Sequence, residues 1–135
     1  MDLIINTDGA SRGNPGPASY GFVLKSKDGP ILHEEGEQIG ITTNNVAEYT
    51  AVIKAFEYII KKFFRKAPHK IEVVSDSRLV VEQLSGRFKI KSPNLMPLFD
   101  KIKTMEFELG RVFYRSVPRE ENFLADRLAN RAFEK

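Results

Sequence analysis

Leu3-Ile4-Ile5-Asn6-Thr7-Asp8-Gly9-Ala10-Ser11-Arg12-Gly13-Asn14-Pro15-Gly16-Pro17 is the stretch whose reading decides the rest of the chain. An apolar run ended by Gly and Pro reads as a buried strand, so residues 2 to 8 are expected to form a first strand with Asp8 where it runs out. Asn14-Pro15-Gly16-Pro17 makes a short connection to a second strand over residues 18 to 25, which makes the two antiparallel neighbours. Lys27-Asp28-Gly29-Pro30 is a further turn, and residues 31 to 39 alternate as a third, more exposed strand of a meander.

Thr42-Thr43-Asn44-Asn45 opens the longest helical pattern, with Val52, Ala55, Phe56, Ile59, Ile60 and Phe63 recurring at steps of three and four. Its end carries Lys61, Lys62, Arg65, Lys66 and Lys70, cations that suit a helix C-terminus, and Ala67-Pro68 closes it. Ile71-Glu72-Val73-Val74-Ser75 is a short strand ended by Asp76, and Ser77 to Leu84 a brief helix. Strand, helix, strand makes a βαβ unit, so the fourth strand is expected parallel to a meander strand, beside the first. Arg87 to Pro93 reads as irregular and basic, Asn94 to Phe107 as a third helix with Leu95, Leu98, Phe99, Ile102 and Met105 on one face, and Arg111 to Arg115 as a fifth strand. After the loop Pro118-Arg119-Glu120-Glu121, Asn122 is expected to cap a last helix through Leu124, Leu128, Ala129 and Phe133. The order βββαβααβα is α/β in class: one five-stranded mixed sheet with helices on its faces.

The 135 residues suit a single domain over 1–135 with a sizeable core. A hydrophobic fraction of 41% and a charged fraction of 29% argue against disorder. The absence of cysteine removes disulfides and thiolate metal sites, leaving oxygen ligands and two histidines, His33 and His69. The first twenty residues lack signal-peptide order and no apolar run approaches about 18 residues, so a cytoplasmic protein without a membrane partner is expected, monomeric and with no protein partner implied. A net charge of +3 and a pI near 9.2 permit a polyanionic partner without requiring one.

With the fourth strand parallel beside the first, Asp8 and Asp76 stand side by side at about 4.8 Å strand spacing. That sheet edge is where open α/β folds place ligands. The start of the long helix can bring Glu48 there, and the last helix Asp126. Each residue has an ordinary alternative: Asp8 as a turn residue, Glu48 as part of a capping box with Asn45, Asp76 as a helix cap, Asp126 as a solvated helix position. Their convergence is what the ordinary readings leave unexplained. Clustered carboxylates repel unless a cation intervenes, and oxygen-only ligation favours Mg²⁺ or Mn²⁺. Two such ions about 3.5 to 4 Å apart suit phosphoryl transfer on a nucleic acid.

The segments Thr7 to Pro17, Thr42-Thr43-Asn44-Asn45-Val46-Ala47-Glu48, Ser75-Asp76-Ser77 and Val117 to Asp126 resemble, in order, the signature segments of type 1 ribonuclease H, notably its prokaryotic members. The resemblance spans nearly the whole chain. It implies the ribonuclease H fold and endonucleolytic cleavage of the RNA strand of RNA–DNA hybrids, with two divalent ions held by Asp8, Glu48, Asp76 and Asp126. It further implies that Asn14, Asn44 and Asn45 line the minor groove of the hybrid and that Thr43 helps hold a phosphate of the DNA strand. Short amides at a turn and a helix start suit base edges and 2′-hydroxyls in a shallow groove.

Two departures bear on mechanism. Where many family members carry a histidine ten residues before the last catalytic Asp, this chain has Ser116, and Arg119 or Glu121 in the same loop is the candidate for a related role in product release or water positioning. His33 and His69 read as structural or solvent residues. The long, Trp-rich basic handle of some relatives is also missing; Arg87, Lys89 and Lys91 supply part of such a contact, so hybrid binding is expected to be weaker and salt-sensitive. Other readings stand beside this one: a non-cleaving nucleic-acid binding module, a nuclease of the same fold acting on double-stranded RNA or DNA junctions, and a metal-binding structural domain. The clustered carboxylates disfavour the first, Asn14, Thr43, Asn44 and Asn45 disfavour the second, and an open site at a sheet edge disfavours the third.

Overall fold

The apolar run that opens the chain becomes the central strand of a sheet. The computed structural model describes residues 2–63 and 70–134, and these form five strands and four α-helices. The strands are β1 (Asp2–Ser11), β2 (Gly16–Ser26), β3 (Ile31–Thr42), β4 (Lys70–Ser75) and β5 (Val112–Ser116), arranged β3-β2-β1-β4-β5. The meander β1-β2-β3 is antiparallel, and β4 lies parallel to both β1 and β5. The helices are α1 (Asn44–Lys62), α2 (Arg78–Leu84), α3 (Met96–Leu109) and α4 (Phe123–Arg131), with short 3-10 turns at Arg119–Asn122 and Ala132–Glu134. The expected βββαβααβα order and mixed sheet are both present. None of the described helices is long and apolar enough to cross a membrane. The expected roles of Arg65, Lys66, Ala67-Pro68 and His69 fall outside the described residues.

Strand β1 outruns its expected end. Its parallel ladder with β4 stops at Asn6 opposite Val74, but its antiparallel ladder with β2 continues to Ser11 opposite Ala18. Asp8 therefore lies inside a strand, paired on one side only. Strand β3 likewise runs to Thr42 because β2 begins at Gly16 and keeps pairing with it.

The core lies between the sheet and the helices α1, α2 and α3. Leu3 and Ile5 of β1, Phe22 and Leu24 of β2, and Ile71 and Val73 of β4 meet Val52, Phe56 and Ile59 of α1, with Ile102 and Leu109 of α3 behind. Helix α1 is flanked by sheet on one side and α3 on the other. Ala47, Tyr49, Ala51 and Ile53 are therefore buried beside the expected stripe. Helix α4 covers the opposite sheet face, on a floor of small residues. A Cβ on Gly21 would meet Ala125 O and Ala129 N at 2.6 Å, and one on Gly36 would meet Leu128 O at 2.5 Å.

The tightest helix–sheet contact is at Gly9. A Cβ there would lie 2.3 Å from Glu48 N and 2.4 Å from Ala47 C, so the first turn of α1 rests directly on β1. Both atoms are backbone and neither can swing aside. Gly9→Ala is expected to destabilise the fold by about 1–3 kcal/mol through overpacking, read as a lower urea midpoint; an unchanged midpoint would show that α1 does not sit this close.

Candidate active site

Two residues past the last parallel pair, Asn6 opposite Val74, both strands carry an aspartate: Asp8 on β1 and Asp76 just after β4. The register thus sets the two carboxylates abreast, as the sequence suggests. Asp8 is cross-strand partner to Gly21, so it faces the α4 side of the sheet, whereas neighbouring Gly9 faces α1.

Glu48 arrives with the turn of α1 packed on Gly9. It is not part of a capping box. Thr43 is the N-cap, its Oγ1 accepting from Val46 N at 3.3 Å, which puts Glu48 beyond the reach of a box partner. One carboxylate oxygen, Oε2, is buried without a hydrogen-bond partner. Asp76 is not a cap either, since Ser77 caps α2 through Val80 N. Asp126 comes from the first turn of α4. Asn122 was expected to cap that helix through its side chain, but it is buried and bridges to β1 instead: Nδ2 donates to Thr7 O at 2.8 Å, and Oδ1 accepts from Asn6 Nδ2 at 3.1 Å. The backbone of the central strand, left free of β4 past Asn6, outcompetes the helix end for this amide.

Asp8, Glu48, Asp76 and Asp126 all line one open pocket of about 300 Å³ with Ala10, Ser11, Asn44, Arg119 and Asn130. Burial pushes the Asp8 carboxyl up to about 8, helped by the charge of Asp76, contact with the Asp126 carboxylate and the charge of Glu48. Burial likewise lifts Glu48 to about 7; a hydrogen bond from Ser77 acts the other way, and the charge of Asp76 adds to the rise. Asp76 is raised mainly by burial, against the opposing pull of a backbone hydrogen bond and of Arg119. Among the described residues no group of three or more His, Cys, Asp or Glu side chains is arranged to hold a metal ion as it stands. The four carboxylates share a pocket without forming a closed cage.

Of the residues implied in substrate contact, Asn14 and Asn44 meet directly: Asn14 Oδ1 accepts from the Asn44 amide at 3.0 Å, tying the β1–β2 connection to the start of α1. Thr43 is the helix cap, and Asn45, half-buried, follows Asn44 in the same turn. Arg119 lies at the pocket with Nη2 3.5 Å from Asp126 Oδ1, while Glu121 is exposed and is not among the lining residues. His33 stacks on Tyr58 with ring centroids 3.8 Å apart and bonds Glu35, the structural role expected of it. Asn130 joins the site beyond the residues the sequence singles out. Its Nδ2 donates to Asp126 Oδ1 at 3.3 Å and to Asp126 O at 2.9 Å, an i, i+4 pairing that the spacing on α4 makes readable.

A family model described as "Reverse transcriptase-like" matches residues 6–132. The bifunctional protein Rv2228c of Mycobacterium tuberculosis is 44% identical over 99% of the chain, which spans only 36% of that relative's length. Among solved structures, LC11-RNase H1 in complex with RNA/DNA hybrid superposes with a TM-score of 0.94 at 42% identity, covering 98% of this chain and 96% of that one. RNase H1 of the halophilic archaeon Halobacterium salinarum superposes with a TM-score of 0.91 at 40% identity, covering 99% and 98%. With the sheet order, the carboxylate pocket and these likenesses in agreement, the chain belongs to the type 1 ribonuclease H family.

Proposed function

We propose that the chain is an endoribonuclease hydrolysing the RNA strand of RNA–DNA hybrids, with two divalent cations held by Asp8, Glu48, Asp76 and Asp126. The observation that carries this reading is that four carboxylates from β1, α1, the end of β4 and α4 line one open pocket beside Asn44. The hybrid bound by LC11-RNase H1 supports the substrate class. The donor set fits the ions. It is all oxygen, as Mg²⁺ prefers and Mn²⁺ accepts, and the buried, unpartnered Glu48 Oε2 is an acceptor that a cation would satisfy.

When bound there, such cations supply Lewis-acid polarisation of a phosphodiester and a water acidified toward neutral pH. The chain's own residues orient the reactants. Asp8 and Asp76 present adjacent oxygens from the sheet, Glu48 approaches from α1, and Asp126 sits at the rim, oriented by Asn130 and Arg119. Asn14, Asn44 and Asn45 read 2′-hydroxyls and base edges in the minor groove, and Thr43 helps hold a phosphate of the DNA strand. Arg119 is the accessory residue of its loop, standing in for the histidine that Ser116 replaces.

Labelled RNA–DNA hybrid is expected to be cut in its RNA strand with Mg²⁺ or Mn²⁺ and left intact in EDTA. Asp8→Asn should lose more than the roughly 10–100-fold that supporting residues of a metal site contribute. Cleavage persisting in EDTA would sink the metal mechanism, and double-stranded DNA cut in preference would sink the substrate assignment. Arg119→Ala should slow multiple turnover by roughly tenfold; an unchanged rate removes Arg119 from the mechanism.

The site also predicts a pH dependence of stability. Asp8 and Glu48 rise on folding from 3.8 and 4.5 to about 8 and about 7, so the native state binds their protons more tightly than the unfolded chain. That contribution is fully present below about pH 4 and lost as pH rises through 7 and 8. In EDTA the thermal midpoint should fall between pH 5 and pH 8. At pH 8, Asp8→Asn should raise it by about 3–6 °C, and Mg²⁺ should raise that of the wild type by mass action. A wild-type midpoint that climbs over this range would contradict the charge balance assigned to the site.

A further inference from the structure

We infer that Arg12 is a contact for the phosphate backbone of the hybrid, held ready by the ring of Phe133; the inference rests on the hybrid-cleavage reading above. Arg12 lies in the connection between β1 and β2. On one side is Ser11, which lines the carboxylate pocket; two residues on is Asn14, bonded to the Asn44 amide. The Arg12 amide donates to Pro17 O at 2.8 Å, which fixes the backbone of the turn. Its guanidinium carbon lies 4.2 Å from the centroid of the Phe133 ring.

Three other arginines hold their charge against carboxylates. Arg115 pairs with Glu72, Arg87 with Glu82, and Arg119 approaches Asp126. Arg12 is exposed and, among the described residues, makes no ion pair. A guanidinium stacked on an aromatic face keeps its charge and its in-plane N–H edge, the edge that matches a phosphate in bidentate fashion. Stacking also removes freedom that a mobile arginine would otherwise lose on binding.

The ring is itself anchored. Phe133 follows Ala132, whose carbonyl accepts from Gln38 Nε2 of β3 at 3.0 Å, and the same end of α4 takes a hydrogen bond from Ser19 Oγ to Ala129 O at 2.5 Å. The last turn of the described chain thus aims a cation from the substrate loop, beside a pocket whose carboxylates would otherwise repel a phosphodiester. A purely structural role, a staple between the loop and the last turn, predicts loss of stability alone.

Steady-state cleavage of a short fluorophore-labelled RNA–DNA hybrid in Mg²⁺, over a series of KCl concentrations, separates the two roles. Arg12→Ala should raise KM about 5–30-fold with little change in kcat, and reduce the slope of log KM against log salt by about 0.9, the share of one phosphate contact. Arg12→Lys should restore the slope but only part of the KM. Phe133→Leu should raise KM by a smaller factor with the slope intact, because the charge remains and only its placement is lost. If the wild type cleaves hybrid and Arg12→Ala keeps its KM and slope, with or without a lower thermal midpoint, the inference is overturned and the hybridase reading stands. A wild type that cleaves no hybrid overturns the earlier reading and this inference with it.

Discussion

The backbone contact between β1 at Gly9 and α1 at Ala47–Glu48 is the constraint on which the site depends. With no side chain between them, a helix and a strand approach until main-chain atoms touch. Glu48 is thereby carried to within electrostatic reach of Asp8, one residue from the contact point. The same device works on the other face of the sheet, where Gly21 and Gly36 let α4 sit low enough to bring Asp126 to the rim. Close packing and active-site geometry are one arrangement here. Side chains large enough to space the layers normally would pull the four carboxylates apart.

That arrangement works against the stability of the fold. Asp8 is only 6% exposed on a central strand, preceded by Asn6 and Thr7, also buried. Desolvation and like charge both disfavour its ionised form. The polar atoms around it are largely matched, through Asn122 bridging Asn6 and Thr7, but Glu48 Oε2 and Asn6 Oδ1 are left without partners. The hydrophobic layer beneath, from Leu3 and Ile5 through Phe56 to Ile102, offsets these costs. Burial of this kind clusters at functional sites because it strengthens the hold of the carboxylates on a cation.

Much of this was legible in the residues. The apolar periods fixed the element order, and the βαβ unit implied the parallel β1–β4 pair whose register sets Asp8 beside Asp76. The misreadings share a cause. Asp8 read as a strand end because the Gly and Pro after it are local signals, whereas β1 continues for as long as β2 pairs with it. Asn122 read as a helix cap for the same reason; its actual acceptor, Thr7 O, lies 115 residues away in the chain. Glu48 fits a capping-box spacing from Asn45 only if the helix starts there, and Thr43 is the cap. The glycines inside β1, β2 and β3 were the available sign that helices approach closely at those points. Asn130 had its sign in the spacing from Asp126.

The central claim is that Asp8, Glu48, Asp76 and Asp126 together form one cation site. The most direct test is anomalous diffraction from crystals of the protein soaked in Mn²⁺. Manganese peaks are expected in the pocket within ligand distance of oxygens from all four residues, with Glu48 Oε2 among them. Manganese bound elsewhere, with the four carboxylates unliganded, would contradict it.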